Sequence, residues 1–276
     1  MIDLHCHLLP EVDDGARSME DALFLARAAV EQGIKAAVLT PHIHPGVFDN
    51  RHSSLRPVFE RYRQALAEAG IPLAVYLGAE VHLHPDMFSL WERYELPIIG
   101  WWEGQPLVLL EFPDGSLPPG SEMACRMSEE RGFRWIIAHP ERNKAVMRDP
   151  ERILPFVDAG CLLQLTAASV TGAFGSAAAR TAHLLLSWGV VDVVASDAHN
   201  LAHRPPVMQE ARAFLTQRYG PAVAYRLTED MPLRLIRERS DFEPLAGVSG
   251  GLASPDPASS SPRQPGDFSG GRPARG

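Results

Sequence analysis

Six short apolar runs in this chain each stop at a side chain able to hold a metal ion, and no other feature restricts the fold as tightly. His5 and His7 end the run 2–6. His42 and His44 follow 36–40, Glu80 and His82 follow 73–78, and Glu111 ends 107–111. His139 ends 135–138, and Asp197 with His199 follows 190–195. One such residue after a strand carries little information, but six in the same phase require a fold that brings strand ends together. A (β/α) barrel does so, because the C-terminal ends of its strands converge on one face.

Helical patterns between the runs support that architecture. Ser18 is placed to cap a helix, with Asp21 three residues on and Gly33 closing it. Between them Ala22, Leu25, Ala26, Ala29 and Val30 share one face. Residues 55–69, 122–131, 150–159, 177–188 and 206–218 also read as helices, and 161–165 is a further apolar strand. Repeated βα units predict parallel strands buried on both faces. About seven of them favour a closed or nearly closed α/β barrel over an open doubly wound sheet. Residues 1–245 read as a single domain. The Gly-, Ser- and Pro-rich stretch 246–276 reads as a disordered tail, because it has too little apolar surface to offset its ordering entropy.

The bulk properties exclude several classes. The net charge of -8 argues against a nucleic-acid surface. No apolar run reaches the roughly 20 residues needed to cross a bilayer. The opening Met-Ile-Asp-Leu-His-Cys-His has no basic segment followed by a long apolar one, so no secretory signal is expected. Cys6, Cys125 and Cys161 are unpaired in spacing and read as reduced thiols, so the expected compartment is the cytoplasm.

His5 and His7 alternate along one strand and therefore share a side of it. Imidazole and carboxylate ligands without thiolate suit Mn, Fe, Zn or, less well, Mg. Arg142 and Arg204 each lie a few residues beyond such a ligand, and guanidinium matches phosphate in bidentate geometry. Elsewhere in a sequence either arginine would read as a surface ion pair. His44, His82 and His84 read as surface or capping residues. Cys125 and Arg131 match the Cys-x5-Arg pattern of cysteine-based phosphatases. The intervening residues hold no glycine, include two glutamates and lie in a helical run, so the match is coincidental.

Taken together, the segments Ile-Asp-Leu-His-Cys-His, Val12-Asp13-Asp14-Gly15, Thr40-Pro41-His42, Gly78-Ala79-Glu80, Leu110-Glu111-Phe112, Ala138-His139-Pro140-Glu141-Arg142 and Ser196-Asp197-Ala198-His199-Asn200 resemble the polymerase-and-histidinol-phosphatase (PHP) superfamily. More narrowly, they are similar to the manganese-dependent bacterial protein-tyrosine phosphatases of capsule and exopolysaccharide loci, the CpsB/YwqE type. The resemblance runs from residue 1 to about 240. It implies a distorted TIM-like (β/α)7 barrel and a site holding three metal ions, expected to be Mn2+, with Fe, Zn or Mg as substitutes. His5, His7, Glu80 and Asp197 would hold the first. Glu80 would bridge to a second bound by Glu111 and His139, and Asp14, His42 and His199 would hold the third. Asp14 is preferred to Asp13 on this ground alone. Arg142 and Arg204 match the arginines that grip the phosphate. The implied partner is a phosphotyrosine protein, the tyrosine-rich tail of a membrane-associated bacterial autokinase. A small-molecule phosphatase, such as one acting on histidinol phosphate, is the alternative, followed by a non-catalytic phosphopeptide- or metal-binding module.

Overall fold

The computed structural model describes residues 1–242 and 245. The stretch 246–276, with the boundary expected before it, lies outside the described residues. Ten strands are labelled in chain order: β1 (Ile2–Cys6), β2 (Ala36–Leu39), β3 (His42–Ile43), β4 (Ala74–Leu77), β5 (Glu80–His82), β6 (Gly100–Trp102), β7 (Gln105–Glu111), β8 (Arg134–Ile137), β9 (Leu162–Thr166) and β10 (Val193–Ala195).

All of these strands except β6, which pairs antiparallel with β7, form one parallel ring. β1 pairs with β2 and β2 with β4. Beyond a jog, β3 pairs with β5, β5 with β7, and the order continues through β8 and β9 to β10. A parallel bridge between Cys6 and Ala198 closes it, with His7 N–H donating to Ala198 C=O at 2.7 Å and Asp197 N–H to His5 C=O at 2.8 Å. With β2/β3 and β4/β5 each counted as one interrupted strand, the barrel has the expected α/β architecture.

The interruptions have local causes. Pro41 has no N–H for the ladder. A Cβ on Gly78 would lie 2.7 Å from Val38 Cγ1 and 2.9 Å from Ile99 Cγ2, so only glycine fits there. Gly78 N–H to Leu39 C=O (2.8 Å) and Glu80 N–H to Pro41 C=O (3.1 Å) carry the pairing across the break. His42 and Glu80 follow directly and face each other in register.

β1 has a comparable irregularity. Ile2 and Leu4 belong to the apolar cluster inside the barrel, whereas Cys6 packs in the outer cluster beneath the helices. The register with β2 shifts between Asp3 and Cys6. A bulge of this kind re-aims side chains, and here it turns His5 and His7 towards the barrel mouth. Leu107, Leu109, Ile136, Leu162, Val193 and Ala195 fill the interior. Met231, Leu235 and Ile236 of the helix Met231–Ile236 pack on them at the N-terminal end. The mouth at the other end is therefore the open one.

Ser18 caps the helix Met19–Glu31 as expected, accepting from Asp21 N–H at 3.1 Å. The helix expected over 150–159 is instead a 3-10 turn, Pro150–Ile153, followed by the short helix Leu154–Asp158; Pro155 at its start removes a donor. The helix expected from 206 begins at Gln209, after two prolines. The antiparallel hairpin of β6 and β7 had no clear sequence signal.

Candidate metal centre

Each residue singled out from the run ends reaches the mouth on its own strand or the loop after it. His5 comes from β1, His7 from the residue that follows it, Asp14 from the loop beyond, His42 from β3, Glu80 from β5 and Glu111 from the end of β7. His139 follows β8, and Asp197 with His199 follows β10.

Three groups bring their ligand atoms within 4.8 Å of one another: His5, His7, Glu80 and Asp197; His7, Asp14, His42 and His199; and His42, Glu80 and Glu111. The first is the expected set. The second is the expected trio with His7 added. In the third, His42 stands where His139 was expected, while His139 Nε2 lies 2.8 Å from Glu80 Oε1 and 3.9 Å from Glu111 Oε1. His7, His42 and Glu80 each face two groups, so the groups form one continuous cluster.

The donor atoms fit divalent cations. His5 Nε2 and His7 Nε2 are 3.2 Å apart, and Glu80 Oε2 lies 3.1 Å from the first, 3.2 Å from the second and 3.3 Å from His42 Nδ1. Ligands about 2.1 Å from a common ion stand roughly 3 Å apart at right angles. Among the described residues, buried His42 Nδ1, His199 Nε2 and Asp197 Oδ1 have no hydrogen-bond partner, and each belongs to at least one of the groups. Orphaned polar atoms at this density are costly unless something charged lies between them.

The electrostatics agree. Burial works to raise the pKa of Glu80, but the imidazoles of His5 and His42 outweigh it and hold the carboxyl well below its usual range. Burial opposes ionisation of Asp197 too, yet His5, His7 and the guanidinium of Arg142 keep it far down. His7 is pushed well above the ordinary imidazole value: burial lowers it, and Asp13, Asp197 and Glu80 more than reverse that. The cluster thus draws positive charge onto His5 and His7 when no cation is bound.

Outer contacts fix the ligands. Asp13 Oδ2 lies 2.7 Å from His7 Nδ1 and accepts from His42 N–H at 3.0 Å, while Asp13 Oδ1 accepts from Gly15 N–H at 3.0 Å. Gln164 Oε1 sits 3.0 Å from His5 Nδ1 and accepts from His139 N–H at 3.3 Å. Both set the tautomer that leaves Nε2 free for a cation. A Cβ on Gly15 would fall 2.1 Å from His7 C=O, so the loop closes on β1 only with glycine. His139 (φ 29°) and Asp197 (φ 54°) have left-handed backbones, strain that the surrounding packing enforces.

Both arginines converge here. Arg142, at the end of the 3-10 turn Pro140–Arg142, and Arg204 each donate to Asp197 Oδ2. Arg204 Nε is buried and has no acceptor among the described residues. The Arg142 guanidinium lies 5.0 Å from the Phe174 ring centroid.

The run ends point to neither Gln164 nor Phe174, and in Asp13-Asp14-Gly15 the sequence favours Asp14, which joins a ligand group, over Asp13, which holds His7 from behind. Gln164 left a trace, a polar residue inside an apolar strand; Phe174 left none. His44 and His82, read as surface residues, stack at 3.9 Å on the rim, where His82 Nδ1 meets Glu111 Oε2 at 3.3 Å. His84 is directed to Asp86. Cys125 is buried inside the helix Ser121–Glu130, so the Cys-x5-Arg match forms no anion loop.

Residues 1–237 match the family model described as capsular polysaccharide synthesis, CpsB/CapC. The chain belongs to the CpsB/CapC family. It is 34% identical over 242 residues to the tyrosine-protein phosphatase YwqE of Bacillus subtilis, covering 88% of this chain and 94% of the relative. It is 30% identical over 244 residues to the tyrosine-protein phosphatase CpsB of Streptococcus pneumoniae, covering 87% and 99%. A solved structure from work on YwqE and CpsB, described as unique metal-dependent tyrosine phosphatases, superposes with a TM-score of 0.80 at 33% identity, over 89% of this chain and 98% of that one. The organophosphorus hydrolase of Deinococcus radiodurans, at 14% identity and a TM-score of 0.54, shares the fold alone, over 84% of this chain and 91% of that one. This family member has, among its described residues, no helix long and apolar enough to cross a membrane.

Proposed function

We propose that the barrel mouth hydrolyses phosphotyrosine with Mn2+ held in three adjoining positions. The observation that carries this reading is convergence: three ligand groups share His7, His42 and Glu80, and both arginines meet on Asp197 at their edge. His5, His7, Glu80 and Asp197 would hold one ion; Glu80, Glu111 and His139 a second; Asp14, His42 and His199 a third. Bound there, divalent cations supply Lewis acidity and bring the pKa of water towards neutrality.

The chain's own groups do the rest. Asp13 and Gln164 hold His7 and His5 in the tautomer the site needs. Arg142 and Arg204 take the non-bridging phosphate oxygens, the unpartnered Nε of Arg204 supplying one donor, and stabilise charge as it moves onto those oxygens. A tyrosine leaving group departs as a phenolate of pKa about 10, which needs less protonation than an alkoxide.

The mouth suits a side chain carried on a protein. The Asp14 side chain is 53% exposed and that of Arg142 29%, so among the described residues the site opens to solvent without a covering loop. The partner that fits is the tyrosine-rich tail of a membrane-associated autokinase, met in the cytoplasm during capsule synthesis. The test is a metal-dependence profile against a phosphotyrosine peptide, with histidinol phosphate in parallel. Turnover of the peptide with Mn2+, abolished by a chelator, is expected. Preference for histidinol phosphate would reject the protein substrate.

A further inference from the structure

A cleft of about 520 Å³ adjoins the cluster on its arginine side, lined by Arg142, Met147, Phe174, Gly175, Ser176 and Arg204 among others. It contains none of the metal-capable residues, yet both phosphate-gripping arginines form part of its wall. The volume lies within the range of small-ligand sites. Gly175 and Ser176, at the start of the helix Ser176–Ser187, carry little side chain into it. One face of Phe174 lies against the Arg142 guanidinium, 5.0 Å from centroid to carbon. A phosphate gripped by Arg142 therefore brings its ester group within reach of that ring.

In-line displacement fixes the direction. The attacking oxygen comes from the ligand cluster, so the leaving oxygen points away from it. Away from it, beyond the arginines, lies this cleft. A second cleft, of about 390 Å³, flanks Asp14 and His199 and contains neither arginine, so it is on the wrong side for the leaving group.

We propose that the Arg142–Phe174–Arg204 cleft is the subsite for the aromatic ring of the ester, and that Phe174 sets a preference for aryl over alkyl phosphates. This rests on the phosphoesterase reading above. Phe174 makes the contact through the face of its ring, as offset or edge-on aromatic pairs do.

The experiment compares phenyl phosphate with ethyl phosphate in wild type, Phe174→Leu and Phe174→Tyr, all loaded with Mn2+. Any disturbance of Arg142 affects both esters alike, and the intrinsic difference between their leaving groups is the same in every variant. The ratio of the two kcat/KM values isolates the ring contact. Phe174→Leu should lower it about five- to tenfold, the size of one aromatic pair, and Phe174→Tyr should restore it. An unchanged ratio, with or without loss of overall rate, would overturn the subsite and leave Phe174 as a support for Arg142. Wild type that turns over neither ester would sink the phosphoesterase reading instead. Calorimetry with phenylphosphonate and ethylphosphonate then decides the subsite separately. Tighter binding of the phenyl compound, lost in Phe174→Leu, supports it, and equal binding rejects it.

Discussion

The two sides of the ligand cluster are built differently. On the floor, His5, His7, Glu80 and Asp197 are almost wholly buried, and each imidazole is held from behind, His7 by Asp13 and His5 by Gln164. At the edge, Asp14 is half exposed, and its own partners are His42 and His199, each at 3.5 Å. Its carboxyl is held below the usual range chiefly by the contact with His199. A buried ligand with a rigid outer contact has its geometry paid for by folding. An exposed one must be ordered when the cation arrives. The floor should bind tightly and the edge should exchange.

The sharpest way to break that contrast is at Glu80, which faces four histidines. Glu80→Gln keeps the shape and removes the charge. Activity should fall by at least about a thousandfold, roughly 4 kcal/mol of transition-state stabilisation, and bound metal per chain should fall with it. Retention of full metal content by elemental analysis would show that the floor does not depend on its shared carboxylate.

Arg204→Lys should cost less, about a hundredfold in kcat/KM with metal content unchanged, because a point charge replaces a planar fork. Parallel loss of metal would instead mark Arg204 as a support for Asp197.

Much of this arrangement was legible in the sequence because barrel topology converts position along a strand into position in space. His139 and Asp197 lie far apart in the chain, yet each ends its own apolar run, and parallel pairing alone brings those ends to one rim. The bulge in β1 was not legible. Alternation from Ile2 and Leu4 would carry the inward direction to Cys6, and only the shift in register hands it to His5 and His7. Nor was Asp13. In Asp-Asp-Gly either carboxylate can turn inward. The choice is made by Gly15, whose closeness to His7 C=O brings the loop back onto β1. The third group shows the same limit: strand phase brought His42 to the rim, but not its approach to Glu80 and Glu111.

Asp13 and Asp14 then set floor against edge in neighbouring residues. Asp13→Asn should weaken metal binding tenfold to a hundredfold, the range for a lost outer-shell carboxylate. Asp14→Asn should weaken it less and leave the floor loaded. Titration of each variant with Mn2+ reads both. A larger loss at Asp14 would reverse the assignment of floor and edge.

The smallest expected effect concerns the protein stripped of cations, where protons take the place of metal on the floor. The folded pKa of His5 and of His7 is raised, so the stability they contribute is fully present below about pH 6.5 and is lost as pH rises through the raised value. Glu80 and Asp197 are depressed, so their contribution is present above about pH 4.5 and is lost only as pH falls through the lowered value. The chelated protein should therefore be most stable between these limits, and its Tm should decline by several degrees between pH 6.5 and 9. In Mn2+ that alkaline decline should disappear, because the cation supplies the positive charge that the imidazoles give up. Asp14 has a smaller share in this balance, since half of it faces water, so Asp14→Asn should flatten the slope less than Asp13→Asn does. Equal slopes in both variants would mean that the buried floor does not govern the titration.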